Sequence, residues 1–289
     1  MKFKTDALIG FGLCHVLALL ALLPYFFSWS GVVVLLIGVN VFGVLGLNMG
    51  FHRLLTHRGF SCPLWFEHTL AVLGTCSLEF SPPLWVAVHR RHHHHSDEDL
   101  DPHSPFHGFV WSHFGWLLRR SGDMKSKHLL ERYAKDLMRD PLYAWLEGRK
   151  RWILVSFGIW GLLFAAGASW ALATGASQAQ AVQLGLSWLI WGGPLRTILV
   201  WHITWSVNSV AHVWGYQSYE TRDNSRNNVL VGLWAAGEGW HNNHHADPSS
   251  ARHGHHWWEF DFTFLLIRLF EACGLVWDVK RPRSIPPSA

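Results

Sequence analysis

Residues 31–57 read GVVVLLIGVNVFGVLGLNMGFHRLLTH, a long apolar run that carries no formal charge before residue 52 and ends in two histidines. At ~1.5 Å rise per residue, about 20 apolar residues in a helix cross the roughly 30 Å hydrocarbon core of a bilayer. Residues 31–51 therefore predict a transmembrane helix. His52 and His57 follow it directly, so we expect both at the membrane surface.

Three further runs have the same character: residues 7–27, 152–174 and 181–205, the last interrupted only by Arg196. Together the runs predict four transmembrane helices in two hairpins. The first run is too long for the apolar core of a signal peptide, so we expect it to be retained. A charge inside a span is costly, and we therefore expect Arg196 to face the interior of the bundle.

The composition supports this membrane assignment, because 49% of residues are hydrophobic and 15% are charged, against about 25% charged in a typical soluble protein. Lysine and arginine concentrate in residues 48–151 and after residue 205, whereas the links at 28–30 and 175–180 contain none. The positive-inside rule then places both termini and the long middle segment in the cytosol.

These patterns predict an all-α integral membrane protein with a single domain over residues 1–289. Residues 52–151 and 206–289 would form a cytosolic helical cap above the membrane stem. Residues 62–88 are apolar but include two glutamates and a Pro-Pro pair, so we expect a re-entrant or interfacial segment instead of a fifth span.

The cysteines and the net charge exclude several classes of protein. Cys14, Cys62, Cys76 and Cys273 form no CxxC pair, which argues against an iron-sulfur cluster, a zinc ribbon and a disulfide framework. The net charge is +4, but the basic residues form no continuous stripe suited to nucleic acid. The apolar runs indicate a lipid bilayer as the partner.

Histidine is unusually frequent, with 21 residues, and one motif, HxxHH, occurs twice. On a helix, positions i, i+3 and i+4 fall within about 100° of one another, so the three imidazoles of each copy point the same way. With the histidines that follow the second and fourth spans, nine are expected at the cytosolic mouth of the stem: His52, His57, His89, His92, His93, His212, His241, His244 and His245.

Nine imidazoles exceed what one first-row metal accepts, whereas two metals would take four or five each and keep positions open for substrate or dioxygen. The count therefore predicts a dinuclear site. Imidazole suits iron, copper, nickel and zinc, so ligand type leaves the metal open. The only Glu-x-x-His motif is Glu238 to His241, which argues against a soluble carboxylate-bridged di-iron bundle, and HExxH is absent.

The remaining histidines are expected to play other roles. His94 and His95 would point about 140° and 240° away from His89 on a helix, and so away from the metals. Six others are expected to be structural or to lie at the surface: His15, His68, His128, His253, His255 and His256.

Six stretches of this chain carry a resemblance to a known family: HRLLTH at 52–57, HRRHHHHSDEDLDPH at 89–103, GFVWSHFGWLL at 108–118, WSVNSVAHVWGY at 205–216, GEGWHNNHH at 237–245 and GLVWD at 274–278. They resemble the membrane fatty-acyl desaturases related to stearoyl-CoA desaturase. The similarity covers residues 48–120 and 196–278. Three histidine boxes in this order beside membrane spans make it specific.

The resemblance implies which residues hold two irons. One iron would be bound by the residues that match His52, His57, His89, His93 and His245, and the other by those that match His92, His212, His241 and His244. Asn208 matches an asparagine that reaches the second iron through a water. Asp97 and Asp101 are expected to accept hydrogen bonds from ligand N–H groups, because metal-bound imidazoles commonly require such acceptors.

The resemblance also implies a bent acyl tunnel beneath the metals, with Trp85, Thr204 and Trp205 lining the bend. Glu79 departs from the glutamine found near this bend in the animal enzymes, which changes the local polarity.

The implied reaction is dioxygen-dependent removal of two vicinal hydrogens from a saturated acyl chain, leaving a cis double bond. The C–H bonds are unactivated, so a cofactor must supply the oxidant. Electrons would come from another protein, because the chain has no iron-sulfur, flavin or haem motif. The basic cap suits an acidic ferredoxin or a b-type cytochrome.

Two alternatives remain open. A membrane hydroxylase would use the same two irons and yield an alcohol. A divalent-metal transporter would need ligands near the bilayer midplane, where only His15 and His202 lie within predicted spans. Zinc could replace iron in purified protein.

The head group of the substrate is signalled less clearly. The animal acyl-CoA enzymes have a basic and an acidic residue where this chain has Ala87 and Val88. Arg119 and Arg120 overlap partly with a basic pair that contacts CoA phosphates, although Ser121 replaces the second member and such a pair also suits anionic lipid. We expect an acyl thioester desaturated at the delta-9 position, with an acyl chain esterified in a membrane lipid as the alternative.

Overall fold

A computed structural model describes residues 3–119 and 126–284. Within these ranges the chain is helical, and its only β contacts are isolated bridges such as Ser61–Trp277. The α-helices are α1 (Thr5–Leu19), α2 (Trp29–Gly38), α3 (Leu64–Thr75), α4 (Pro82–His95), α5 (Trp116–Leu118), α6 (Ser126–Tyr133), α7 (Pro141–Glu147), α8 (Arg151–Ala173), α9 (Gln178–Ile190), α10 (Arg196–Ser209), α11 (Val229–Trp234), α12 (His241–Ala246) and α13 (Phe262–Ala272).

Tighter or wider turns extend several of these helices. Wider π-helical turns run over Val39–Thr56, Trp111–Gly115 and Trp191–Leu195, and short 3-10 turns over Leu20–Leu22, Pro24–Phe26, Pro105–His107, Leu137–Arg139, Gly148–Lys150 and Val210–His212. The longest π-helical stretch continues α2 directly, so the second predicted span forms one helical rod that ends at the first histidine box.

Three helical segments in the described part of the chain are long and apolar enough to cross a membrane: Thr5–Leu22, Trp29–Thr56 and Pro141–Ala173, the last of which is kinked at Arg149 and Lys150. They correspond to the first three predicted spans, and the chain is a membrane protein. The fourth predicted span, residues 181–205, is also helical, because α9, the π-helical turns and α10 follow one another. It is not among the three, since Gln183, Pro194 and Arg196 interrupt its apolar side chains. Four spans therefore remain a prediction.

Helix α3 has 12 residues, too few to span the core of a bilayer. It packs along the helix that follows α2, and the two backbones come so close that a Cβ on Gly46 would lie 2.3 Å from the backbone nitrogen of Gly74. Glycine is required at this crossing because any side chain would collide. A re-entrant or interfacial segment at residues 62–88 stays a prediction.

Arg196 faces the bundle interior, as predicted, and is fully buried. Its Nη1 donates to the carbonyl of Cys76 at 2.7 Å, and its Nε donates to the carbonyl of Gly192 at 3.0 Å. The guanidinium also lies 4.5 Å from the ring centre of Phe42. These partners offset the cost of placing a charge among apolar helices.

A second buried arginine, Arg53, lies at the end of the helix that continues α2. Its guanidinium donates to Glu238 at 2.8 and 3.0 Å and to Asp261 at 2.9 Å. Arg53 adjoins the first histidine box and Glu238 precedes the third, so this network holds the two boxes together. Helix α4, which carries the second box, begins with a Ser81 cap followed by Pro82 and packs against α6 and α7.

Candidate metal centre

The nine predicted histidines come together in two sets. Within each set the candidate ligand atoms lie within 4.8 Å of one another. The first histidine set comprises His52, His57, His89, His93 and His244, and the second comprises His92, His212, His241 and His245.

Two members differ from the grouping that the family resemblance implied, because His244 and His245 are exchanged. The Nε2 of His244 lies 3.1 Å from that of His52 and 3.0 Å from that of His93, both in the first set. The Nε2 of His245 lies 3.4 Å from that of His92, in the second set. The two residues are adjacent on α12, so their side chains leave the helix about 100° apart and reach different sets.

One face of helix α4 supplies histidines to both histidine sets. His89 and His93, one turn apart, enter the first set, and their Nε2 atoms are 3.1 Å apart. His92, on the neighbouring ridge, enters the second set. The HxxHH spacing thus places ligands on either side of a boundary between two sites.

Carboxylates hold the outer nitrogens of several of these rings. His92 Nδ1 lies 3.0 Å from Asp101, and His212 Nδ1 lies 3.2 Å from Asp97. These are the two aspartates that the sequence indicated as acceptors. A carboxylate that accepts the Nδ1 proton leaves the Nε2 lone pair facing inward, which is the state a metal ligand needs.

Two further carboxylates do the same and were missed from the sequence. Glu238 lies 2.5 Å from Nδ1 of His52, and Asp223 lies 2.6 Å from Nδ1 of His245. The sequence indicated Glu238 only through its Glu-x-x-His spacing to His241. No signal in the sequence pointed to Asp223, which lies in a polar loop.

Burial keeps most of the inward-facing rings neutral. Together with the neighbouring imidazoles, it holds the pKa values of five histidines well below the ordinary value: His57, His89, His93, His241 and His244. Burial lowers the pKa of His92 too, but the Asp101 carboxylate outweighs it and raises that pKa overall. Neutral imidazole is the form that binds divalent metals.

The donor atoms fit two divalent first-row ions. Bonds of 2.0–2.1 Å to nitrogen imply neighbouring ligand nitrogens about 2.8–3.0 Å apart in octahedral sites and about 3.3–3.4 Å apart in tetrahedral sites. The closest Nε2 pairs of the first set are 3.0–3.1 Å apart, and those of the second are 3.0 and 3.4 Å apart. In addition, Nε2 of His57 is buried without a hydrogen-bond partner, as a ligand atom awaiting a metal would be.

Two histidines outside the predicted nine also lie at the centre. His253 was expected at the surface, and this was wrong: it is 1% exposed, its ring packs 4.3 Å from that of His244, and its Nδ1 lies 3.3 Å from Glu238. The backbone N–H of His253 donates to Asp261 at 2.7 Å, which draws this loop inward. His103 is buried beside Asp101 at 3.5 Å, and the sequence had not indicated it.

The other histidines lie away from the two sets. His94 is exposed, and His95 contacts Glu98 at 3.0 Å. His15 contacts His202 at 3.1 Å and His68 contacts Asp140 at 2.9 Å, which agrees with structural roles. His128 and His256 are exposed, whereas His255 is half-buried.

A cavity of about 550 Å³ runs from the stem to the metal centre. This volume lies within the ~300–1,000 Å³ typical of ligand pockets. Its inner wall includes His52, His89 and His241, together with all the residues expected at the tunnel bend or beside the second metal: Trp85, Thr204, Trp205 and Asn208.

Glu79 is buried in the wall of this cavity. The indole N–H of Trp85 donates to its Oε2 at 3.3 Å, and the Trp85 ring stacks on His89 with 5.0 Å between ring centres. Burial raises the pKa of Glu79 to about 8, which the hydrogen bonds from Trp85 and Thr204 only partly counter. Glu79 is therefore a neutral carboxylic acid at pH 7.

Charged residues of both signs lie at the outer end of the cavity. Lys4, Asp6 and Lys150 line it, and Lys150 pairs with Asp6 at 3.2 Å. Arg119, expected at the head group, instead lies over the rings of Phe3 and Trp111, 5.4 and 5.9 Å from their centres. Arg120, its predicted neighbour, lies outside the described residues.

The sequence of the chain was compared with known protein families and with individual relatives. The model of the fatty acid desaturase family matches residues 12–274. An sn-1 stearoyl-lipid 9-desaturase of Anabaena variabilis is 41% identical over 92% of this chain and 90% of the relative. An sn-2 palmitoyl-lipid 9-desaturase of Nostoc is 38% identical over 96% and 90%. An acyl-CoA C20 delta5-desaturase of Anemone leveillei is 39% identical over 98% and 84%.

Proposed function

The chain belongs to the fatty acid desaturase family and is an oxidoreductase that acts on fatty-acyl chains, and from this we propose that it introduces a cis double bond at the delta-9 position of an acyl chain esterified in a membrane lipid. It would use two iron ions and dioxygen. The observation that carries the proposal is the pair of convergent histidine sets at the inner end of an acyl-sized cavity.

The two irons would be held by the first and second histidine sets, and with dioxygen they would supply the oxidant that an unactivated C–H bond requires. Removing two vicinal hydrogens from the acyl chain while reducing dioxygen to two waters consumes two electrons and two protons, which must come from outside the protein. The residues of this protein would bind and orient the acyl chain and shield it from water. Glu238 and Asp223 fix the orientation of His52 and His245.

The cavity wall would select the carbon that reacts. Trp85 is held by its hydrogen bond to Glu79 and by stacking on His89, so its ring is a fixed wall beside the first histidine set. Trp205 stacks on Trp201 with 5.4 Å between ring centres. Rigid aromatic walls keep water out and hold one segment of the chain near the metals.

A lipid substrate is favoured over the acyl thioester expected from the sequence. The phosphates of CoA need a cationic cluster, yet among the described residues the outer end of the cavity combines Lys4 and Lys150 with Asp6 and Glu147. Arg119 lies on two aromatic rings instead of lining the cavity. The relatives named above include lipid 9-desaturases. The thioester remains the second candidate, because another relative is named an acyl-CoA desaturase.

The electrons would come from a separate carrier, a ferredoxin or a b-type cytochrome with its reductase. All four cysteines are free, and two of them are buried in the stem, so they offer no cluster site. We further propose that residues 1–289 form one domain with four spans and that the termini and both histidine sets face the cytosol, where such carriers operate.

The test is gas chromatography of fatty acids from a host that expresses the chain, which reads chemistry, chain length and bond position together. His93→Ala should abolish the new double bond, because His93 belongs to the first histidine set. His94→Ala is the matched control: His94 is the next residue, is exposed and belongs to neither set, so the product should persist. An alcohol as the product would identify a hydroxylase, and full activity of His93→Ala would refute the proposed centre.

A further inference from the structure

The cavity that ends at the metal centre also reaches the outer face of the stem, between α1 and α8. Leu13 on α1 and Phe157 on α8 both line the cavity, and 49% and 44% of their surfaces are exposed. Residues that line a cavity and face outward at the same time mark an opening. Because both residues lie within membrane-spanning helices, the opening faces the acyl region of a bilayer.

The helices on either side of this opening pack on other neighbours. Helix α1 packs against α10, α5 and the turns at Trp191–Leu195, whereas α8 packs mainly against α9. At one end the two are joined by the ion pair between Asp6 and Lys150, whose side chains are 71% and 64% exposed. An ion pair this exposed is screened by water and contributes too little to hold the gap shut.

The rim of the opening suits an acyl chain. Gly10 lines the cavity here, and a Cβ placed on it would meet no atom within 4 Å, so the space beside it is open. Ile153 completes an apolar rim with Leu13 and Phe157. Within a bilayer such a rim offers water no hydrogen-bond partner, whereas a hydrocarbon chain can pack against it.

We propose that the gap between α1 and α8 is a lateral portal through which the acyl chain of an intact membrane lipid slides from the bilayer into the cavity. This inference rests on the proposed function, because it assumes that the chain so admitted is the one desaturated. The ester end stays at the membrane surface beside Lys4, Asp6 and Lys150. The apolar chain passes Gly10 and Phe157 to reach the histidine sets.

The test compares Gly10→Trp with Gly12→Trp in protein reconstituted in phosphatidylcholine nanodiscs. Gly12 lies two positions further along α1 and does not line the cavity, and a Cβ there also meets open space, so it is a matched control. Leu13→Trp, at the exposed rim, fills the gap from a second position in case Gly10→Trp fails to fold.

Two measurements separate the portal from the reaction. The first is labelling of metal-free protein by a phosphatidylcholine with a photoreactive diazirine in mid-chain, read by mass spectrometry at Trp85 on the inner wall of the cavity, because the outer faces of α1 and α8 contact bulk lipid in any case. The second is desaturation of phosphatidylcholine with a labelled stearoyl chain by iron-loaded protein with reduced ferredoxin. Displacing a chain from its path by a bulky side chain should lower both by about tenfold or more in Gly10→Trp and not in Gly12→Trp.

Equal labelling of Trp85 in wild type, Gly10→Trp and Gly12→Trp, or no labelling of Trp85 in any of them, would overturn the portal. If the wild type desaturates neither phosphatidylcholine nor stearoyl-CoA, the proposed function is overturned. The labelling result would still decide the portal in that case, because it requires no turnover.

Discussion

Glu79→Gln should stabilise the protein at neutral pH, because the native carboxyl group must be protonated in the folded state. Burial raises its pKa to about 8 from an ordinary 4.5. Since the folded-state pKa is the higher one, the contribution of Glu79 to stability is fully present below pH 4.5 and is lost as the pH rises through 8. Glutamine keeps an oxygen for the Trp85 N–H and needs no proton.

The magnitude follows from the pKa difference. Each unit of pH above the unfolded-state pKa costs ~1.4 kcal/mol, so holding Glu79 protonated at pH 7 costs on the order of 3 kcal/mol. Removing that cost should raise the unfolding midpoint by roughly 2–4 °C per kcal/mol in a chain of this size. The advantage of Glu79→Gln should be small near pH 5 and should grow up to pH 8.

The assay is thermal unfolding of purified protein in nanodiscs between pH 5 and 8.5, followed by tryptophan fluorescence. Glu131→Gln is the control, because Glu131 is 61% exposed and should produce no pH-dependent difference. A Glu79→Gln midpoint that matches or falls below that of the wild type at pH 8 would refute the account of Glu79 as a buried neutral acid.

Asp223→Asn should lower the affinity for iron by about 10–100-fold, because it removes the carboxylate that orients His245, and titration of the metal-free protein would measure it. Retained affinity would argue against that role. Arg196→Leu should destabilise the stem by about 1–3 kcal/mol, since the carbonyls of Cys76 and Gly192 lose their donor; chemical unfolding in detergent would test this, and an unchanged midpoint would contradict it. A reporter inserted at residues 175–180 should read the side opposite to one fused at the C-terminus, and the same side for both would disprove four spans.

The features that the sequence predicted correctly are those with a local cause. The HxxHH spacing is a property of one helix, so the placement of His89, His92 and His93 on one face followed from helix geometry. Asp101 follows the same helix closely enough to return to His92. Charge-free runs predicted four spans, and three of them coincide with helices long and apolar enough to cross a membrane, because length and hydropathy are local properties.

The features that the sequence missed depend on distant parts of the chain. Glu238 reaches His52 across 186 positions, and His253 becomes buried only because its loop is held by Asp261. The division of His244 and His245 between the two sets likewise depends on how α12 is oriented against the stem, which no spacing within the motif determines.

The iron content of the purified chain tests the central claim most directly. Protein expressed with ample iron and measured by plasma mass spectrometry against amino-acid analysis should contain two irons per chain, one for each histidine set. A saturated ratio of one iron per chain would contradict the dinuclear centre.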